Sequence, residues 1–398
     1  MNLFKLTSLA VAGCLITMPS LFAAEPKCIE PQPKSGQSLA VMVDGVPLVH
    51  TTQVFPLSAT TPTEPSDQVR QVFSRLEEIL KSAGSSTSQI VKLNVYVNHP
   101  SVTAVVEQQL AAKFSGAHKP AVSFVTTTLP DLSHVVAMDA VAASTGSDHK
   151  QATRLTPKTK GQPSPAAILP AGPRVYISGQ AEKGDGTLAD ATRQTMNSLF
   201  ATLKRLELSP ADVVEVKAFL TPMKDSSIAI GEILNAFGDE TPAPLSVLEW
   251  IAGANSIEIE LVAAARPRDN APACEYLTPP GMTASPVFCR VVRANAPQSI
   301  YISGLYGSTN EPSGEAEVRE LFAITERLTA ATGSDLNHLV KATYYVTDND
   351  VSTWHNKLRP MFYDPQRPPA ASKAMVHGTG REQRTITWDL IAVPKAAP

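Results

Sequence analysis

Glu258 and Glu260 stand two residues apart in the run Ile257-Glu258-Ile259-Glu260-Leu261-Val262-Ala263-Ala264. In a β-strand that alternation puts both carboxylates on one face and both isoleucines on the other. If another part of the chain shields the acidic face, the two cannot easily ionise together, and one keeps its proton to an unusually high pH. A poised acid of that kind can orient water or hold an amine. The second candidate group is a hydroxyl beside a glycine at a strand end. Val175-Tyr176-Ile177-Ser178-Gly179 recurs as Ile300-Tyr301-Ile302-Ser303-Gly304, with the serines 303 − 178 = 125 residues apart. Hydroxyls there also serve as turn chemistry, so they weigh less than the acids.

Other chemistries find little support. The chain has no Gly-x-Ser-x-Gly elbow, no phosphate loop, and no Cys-x-x-Cys or His-Glu-x-x-His spacing. Its eight histidines, among them His134, His338, His355 and His377, lack ligand spacing, so neither a metal nor a cofactor is expected. Trp354 and Trp388 suit packing positions better than a stacking platform. A net charge of −3 with 18% charged residues gives no electrostatic case for nucleic acid or an anionic membrane surface.

The elements that must position these groups come in a repeating order. Val213 to Leu220 is echoed by Leu339 to Val346 and, more faintly, by Ile90 to Val97. Lys92, Lys217 and Lys341 recur in these stretches, 125 and then 124 residues apart. A period of that length is a whole small domain, so the 398 residues read as three tandem copies. The 33 prolines crowd the segments between them.

Repeat two is the clearest. A leading strand near Ala167–Leu169 and the strand Arg174–Ser178 precede a helix over Leu188–Leu206, striped by Met196, Leu199, Phe200, Leu203 and Leu206. Strand Val213–Leu220, helix Ser226–Phe237 and two closing strands follow, Ser246–Ile251 and Ser256–Ala264, which the Gly-containing link makes a hairpin. Repeats one and three parse alike, with helices at Ser66–Ala83, Val102–Phe114, Glu315–Ala331 and Val351–Phe362. Each unit is then an α+β domain, a mixed sheet with two helices on one face, and its other face must be buried elsewhere.

The succession of a strand ending Ser-Gly, a long helix, a Val-Val-x-Val-Lys strand ending Leu-Thr, a helix ending in Phe, a Pro-Ala-x-x-Ser strand and Ile-Glu-Ile-Glu-Leu-Val-Ala resembles the RidA/YjgF family of reactive-intermediate deaminases, whose fold is chorismate mutase-like. The resemblance spans residues 37–144 in a degenerate copy, 164–266 and 285–395. Family members form homotrimers with ligand clefts between subunits, so it implies an intramolecular pseudo-trimer, a closed monomeric ring. It also implies hydrolysis of imino and enamine acids, with an arginine holding the substrate carboxylate before the Ser of the Pro-x-Arg-Ser strand. Here those positions read Val122, Leu245 and Ala371. An apolar side chain cannot replace a bidentate cation, and the loss would cost on the order of 2–5 kcal/mol in a buried cleft. Arg381 and Arg384 in the last hairpin are conceivable substitutes.

The family's catalytic carboxylate aligns with Asp139, Glu260 and Asp389, and its strand-end hydroxyl with Thr51, Ser178 and Ser303. With Gly179 and Gly304 these are the candidate cleft residues. Two functions follow: a small-molecule binder without ordinary imine deaminase activity, or a divergent hydrolase using those acids. The family's ribonuclease label gains nothing from an acidic chain.

Residues 1–24 read as a signal peptide, with Lys5, an apolar core from Leu6 to Phe22 and small Ala23 and Ala24, which predicts a periplasmic or secreted protein. No other stretch is long enough to span a membrane. After cleavage Cys28, Cys274 and Cys289 remain; the first and second could pair, Cys289 reads as a buried thiol, and the odd count leaves the pairing open.

Overall fold

The structure, a computed structural model, describes residues 25–57, 64–144, 149–251, 253–307 and 314–395. The signal-peptide reading at 1–24 lies outside them. In chain order the first part gives β1 (Lys27–Gln32), β2 (Gln37–Val43), β3 (Leu48–Thr51), α1 (Pro65–Ser82), β4 (Ile90–Val97), α2 (Ser101–Lys113), β5 (Ala121–Thr126) and β6 (Val136–Ala143). The middle gives β7 (Thr153–Arg154), β8 (Ala166–Leu169), β9 (Arg174–Gln180), α3 (Leu188–Arg205), β10 (Val213–Leu220), α4 (Ser226–Ala236), β11 (Leu245–Glu249) and β12 (Ile257–Ala264). The last part gives β13 (Cys274–Leu277), β14 (Val291–Ala294), β15 (Ser299–Leu305), α5 (Gly314–Ala331), β16 (Leu339–Val346), α6 (Asn349–Phe362), β17 (Ala370–Met375) and β18 (Ile386–Ala392).

Local chemistry accounts for the helices. In α1, Pro65 opens the first turn with its φ already helical, and Val69, Val72, Phe73, Leu76 and Leu80 are buried at helical spacing. Thr187 caps α3 by accepting from the Asp190 amide, and Asp348 caps α6 through the Val351 amide. Each helix pair covers its own sheet over a separate apolar core.

Three four-stranded segments repeat one order: β5-β4-β6-β3, β11-β10-β12-β9 and β17-β16-β18-β15. In each, the helical crossover lays the next-to-last strand parallel to the centre, as β10 with β11, and the last strand takes the opposite edge antiparallel. The closing strands are therefore not the hairpin expected from Ser246–Ala264. Once β11 occupies one side of β10, β12 can satisfy its backbone groups only on the other.

Apart from one parallel bridge of β2 to β5 at Ser38↔Ala121, the leading strands pair outside their own segments. β8 pairs with β3, β14 with β9, and β2 with β15, in matching registers centred on His50↔Ala167, Tyr176↔Val292 and Tyr301↔Val41. This cyclic exchange ties the first segment's leading strand to the third segment. The inward faces then share cores: Val41, Val91, Tyr176, Val214, Tyr301 and Val340 belong to one apolar cluster, and Tyr96, Phe219, Leu248, Tyr345 and Ala374 to another. The sheet faces left bare by the helices are buried against one another, where hydrophobic transfer of a fully buried Val or Leu contributes about 1.5–3 kcal/mol.

Candidate functional site

Register decides which residues correspond. Asp139, Glu260 and Asp389 lie opposite Asn94, Lys217 and Thr343, so the three acids are equivalent. Val122, Leu245 and Ala371 lie opposite Leu93, Val216 and Ala342, each followed by a serine: Ser123, Ser246 or Ser372. Two expectations need correction. His50, Tyr176 and Tyr301 occupy equivalent positions, which places Thr52, not Thr51, with Ser178 and Ser303. Thr51 Oγ1 instead accepts from the Ala140 amide at 2.9 Å. Gln53 then stands where the other copies have Gly179 and Gly304. The lysine period also slips: after the bulge opening each central strand, Lys92 and Lys341 correspond to Glu215, and Lys217 to Asn94 and Thr343.

The acids do not line open clefts. Asp139, Glu260 and Asp389 are 5%, 2% and 3% exposed and face the shared interior. Along each central strand an inward aliphatic residue (Val91, Val214, Val340) precedes the polar positions, and an aromatic (Tyr96, Phe219, Tyr345) follows them. A polar layer thus lies between two apolar plugs. Lys92 Nζ pairs with Asp389, and Lys341 Nζ stands 2.7 Å from Glu260 Oε1. Asp139 accepts from Asn94 Nδ2 at 2.6 Å, Tyr96 Oη at 2.5 Å and Ser246 Oγ at 2.7 Å. Ser303 Oγ donates to Asp389 at 2.9 Å, and His50 Nδ1 lies 2.8 Å from Glu215.

These groups set one another's protonation. Burial alone would raise the Glu215 carboxyl, yet His50, Lys217 and Lys92 hold it well below the usual range. Burial opposes the charge on Lys217 too, but Tyr345, Tyr96, Asp139 and Glu215 surround it and raise it well above an ordinary lysine. Burial lowers Lys92, partly countered by Asp389. The ion pairs His50–Glu215, Lys92–Asp389 and Lys341–Glu260 each cross a boundary between segments.

Outside this layer the three boundaries diverge. At seam one, between the first and second segments, Gln53 Nε2 donates to the Val247 carbonyl at 3.2 Å and its Oε1 accepts from the Val247 amide at 3.0 Å. Thr52 Oγ1 donates to the Leu245 carbonyl at 2.9 Å. Beyond this clamp opens a cavity of about 850 Å³, floored by Leu245 and Val247, with Arg75 and Ile79 from α1 and Ile230 from α4. The Pro-rich linker from Leu155 to Pro165 walls it. That linker is pinned by Arg154, whose guanidinium donates to Val213 and Thr241 carbonyls at 3.0 and 2.6 Å.

Seam two is filled. The Gly179 amide donates to Ser372 Oγ at 3.1 Å, and a Cβ built on Gly179 would lie 2.0 Å from Glu258 Oε1. Burial and then Glu260 push the Glu258 carboxyl up to about 7, opposed by Ser372, Lys341 and Arg290. At seam three Gly304, at φ +67°, lies under the Val122 carbonyl, which an added Cβ would meet at 2.3 Å. A cavity of about 330 Å³ there is lined by Tyr306, Arg381 and Arg384. Arg381 stacks on the Tyr306 ring and donates to Glu107 at 2.5 Å, while Arg384 lies 3.7 Å from Glu317. Gln53 and the linker wall escape sequence reading, because each depends on contacts across a seam.

Residues 38–144 and 153–265, more than half of the chain, match the family described as Endoribonuclease L-PSP. The chain belongs to this family. Solved structures similar to this L-PSP chain include a protein of the conserved Rid family from Yersinia pestis. It is 28% identical over 30% of this chain and 98% of its own, with a TM-score of 0.27. A YjgF family member from Neisseria meningitidis is 22% identical over 31% and 97%, TM-score 0.24. A member of the YjgF/YER057c/UK114 family from Mycobacterium tuberculosis is 23% identical over 30% and 98%, TM-score 0.22. Comparison with curated proteins finds no match. Among the described residues no group of three or more His, Cys, Asp or Glu side chains could hold a metal ion, and no helix is long and apolar enough to cross a membrane.

Proposed function

We propose that this L-PSP family chain is a three-unit pseudo-trimer that binds a small, largely apolar molecule in seam one and lacks ordinary imine deaminase activity. The observation that carries the reading is the 850 Å³ cavity floored by Leu245, the residue at the family's guanidinium position. Its volume falls in the range of small-molecule sites, about 300–1,000 Å³, and half of its lining residues are Pro, Ile, Val or Leu, with Arg75, Glu78 and Lys158 among the rest. The third unit, residues 285–395, and the ring closure draw support from the repeated strand order and the β2–β15 ladder. Export through residues 1–24 to the periplasm or exterior belongs to the same proposal, and fits poorly with short-lived imine substrates made inside cells.

The test is a thermal-shift screen of small apolar amines, amides and amino acid derivatives, repeated on Leu245→Arg. A compound stabilising the parent and not the variant supports the reading; equal stabilisation of both places the binding elsewhere and refutes it. A coupled assay on 2-iminopropionate should show no turnover above background, and a family-like rate would redirect attention to Arg381 and Arg384. A second reading, hydrolysis by a poised acid, rests on Glu258 at seam two, whose carboxyl titrates near neutrality.

A further inference from the structure

Cys28 on β1 has a different environment from Cys274 and Cys289. Its Sγ is 3.7 Å from His118 Nδ1 and accepts from the Lys119 amide at 3.1 Å. His118 Nε2 lies 2.7 Å from the Ile90 carbonyl. A carbonyl can only accept, so Nε2 carries the proton and the Nδ1 lone pair faces the sulfur. Ser38, 1% exposed, has a buried hydroxyl without a hydrogen-bond partner and lies near the same sulfur. Cys28 itself is partly open to solvent. A base oriented by a third group, with two more donors aimed at the sulfur, is the arrangement that activates a thiol nucleophile.

We propose that Cys28 is a reactive thiol that exchanges with the disulfides of small thiols, with His118 as its base. The Cys28 proton passes to His118 Nδ1, and the thiolate attacks one sulfur of the incoming disulfide. A Cys28–S–S–R bond forms, the incoming S–S bond breaks, and the departing thiolate takes the proton back from the imidazolium. The reaction stops at this mixed disulfide, because Cys274 and Cys289 are 6% and 5% exposed, their thiols pushed up by burial. Burial would raise the Cys28 thiol as well, but His118, the Lys119 amide and Ser38 beside it outweigh burial and lower it. His118 is the ionisable neighbour whose charge reaches the sulfur from the loop before β5; Ser38 faces it from β2, and Glu30 on its own strand is occupied by Arg327.

The experiment follows release of the aromatic thiol from DTNB between about pH 6 and pH 9 by the chain from Glu25 onward, which carries Cys28, Cys274 and Cys289. Intact mass after oxidised glutathione confirms the adduct. One thiol of three should react fast, and near pH 6.5 it should outpace the thiols of the urea-unfolded chain by about threefold or more, falling behind them above about pH 9 because a more acidic thiolate is a weaker nucleophile. Cys28→Ser should remove the fast phase. His118→Gln should keep the thiol but return its pH profile to that of the unfolded chain. A fast phase that survives Cys28→Ser, an unlabelled Cys28, or an unchanged profile in His118→Gln would overturn the proposal.

Discussion

Seam one and seam two are built from equivalent strands, yet one opens into an 850 Å³ cavity and the other is plugged by a carboxylate. The difference begins at one position. Gly179 leaves room, and Glu258 folds into it against Ser372. Gln53 at the matching place in the first unit instead grips the edge of β11 through both amide atoms. The residue at Glu258's place in the first unit is Ala137, part of an apolar plug, so no acid competes there. Divergence among the copies has produced one pocket, one closed seam and one arginine-lined niche on a common frame.

The frame's stitches also differ, and breaking them should give the largest effect. Seams two and three are held by buried lysine–carboxylate pairs, Lys341 with Glu260 and Lys92 with Asp389, whereas at seam one Ser246 donates to Asp139 and His50 meets Glu215. Glu260→Gln or Asp389→Asn leaves a buried ammonium facing a neutral amide, and should cost about 3–5 kcal/mol in urea unfolding. Ser246→Ala removes one donor of three to Asp139 and should cost about 1–2 kcal/mol. Equal losses at all three seams would show that the charge pairs add nothing beyond an ordinary hydrogen bond. A selective loss of binding in Glu260→Gln, with stability intact, would restore that acid as a functional group.

The plug at seam two predicts a pH dependence with a definite sign. Glu258 keeps its proton to about pH 7, whereas an unfolded glutamate loses it near about 4.3. Between those values the folded state binds more protons, so stability falls as pH rises through the window. Because Glu258 remains partly exposed, the effect is discounted to on the order of 1–3 kcal/mol. Glu258→Gln should flatten this slope and make the protein more stable than the parent above about pH 7. A thermal-melt series with the same slope in both proteins would mean the carboxyl titrates normally and seam two is not closed by a neutral acid.

The repeated element order was legible because each copy carries its own helical stripes and alternating strands. α3 and β10, for example, fall within a residue or two of their expected bounds. Val122, Leu245 and Ala371 fall at equivalent places in the three segments, each fixed by the following serine. What failed was register. Lys217 looks like Lys92 in a one-dimensional echo, but the bulge opening each strand and unequal loop lengths shift it two residues, onto the positions of Asn94 and Thr343. A smaller slip, of one residue, put Thr51 in place of Thr52, which turns a side chain to the opposite sheet face. Strand exchange left no local signature either, since β8 alternates and packs alike whichever partner it pairs with.

The smallest expected effect tests the position where the seams part. Gln53→Gly gives the first unit the residue the other two carry. It removes two hydrogen bonds to Val247 and should cost about 1–2 kcal/mol, since the strand edge is then left to water. It should also lengthen the cavity toward Ser246, because the amide no longer bars the route along β11. A compound found in the seam-one screen should then bind with changed selectivity, larger analogues gaining relative to smaller ones. Conversely, Gly179→Gln should be far more damaging than Gln53→Gly: its Cβ meets Glu258 at 2.0 Å, so the carboxylate must leave its place over Ser372. If Gln53→Gly changes neither stability nor size selectivity, the clamp is incidental and the seam-one cavity owes its shape to the linker wall alone.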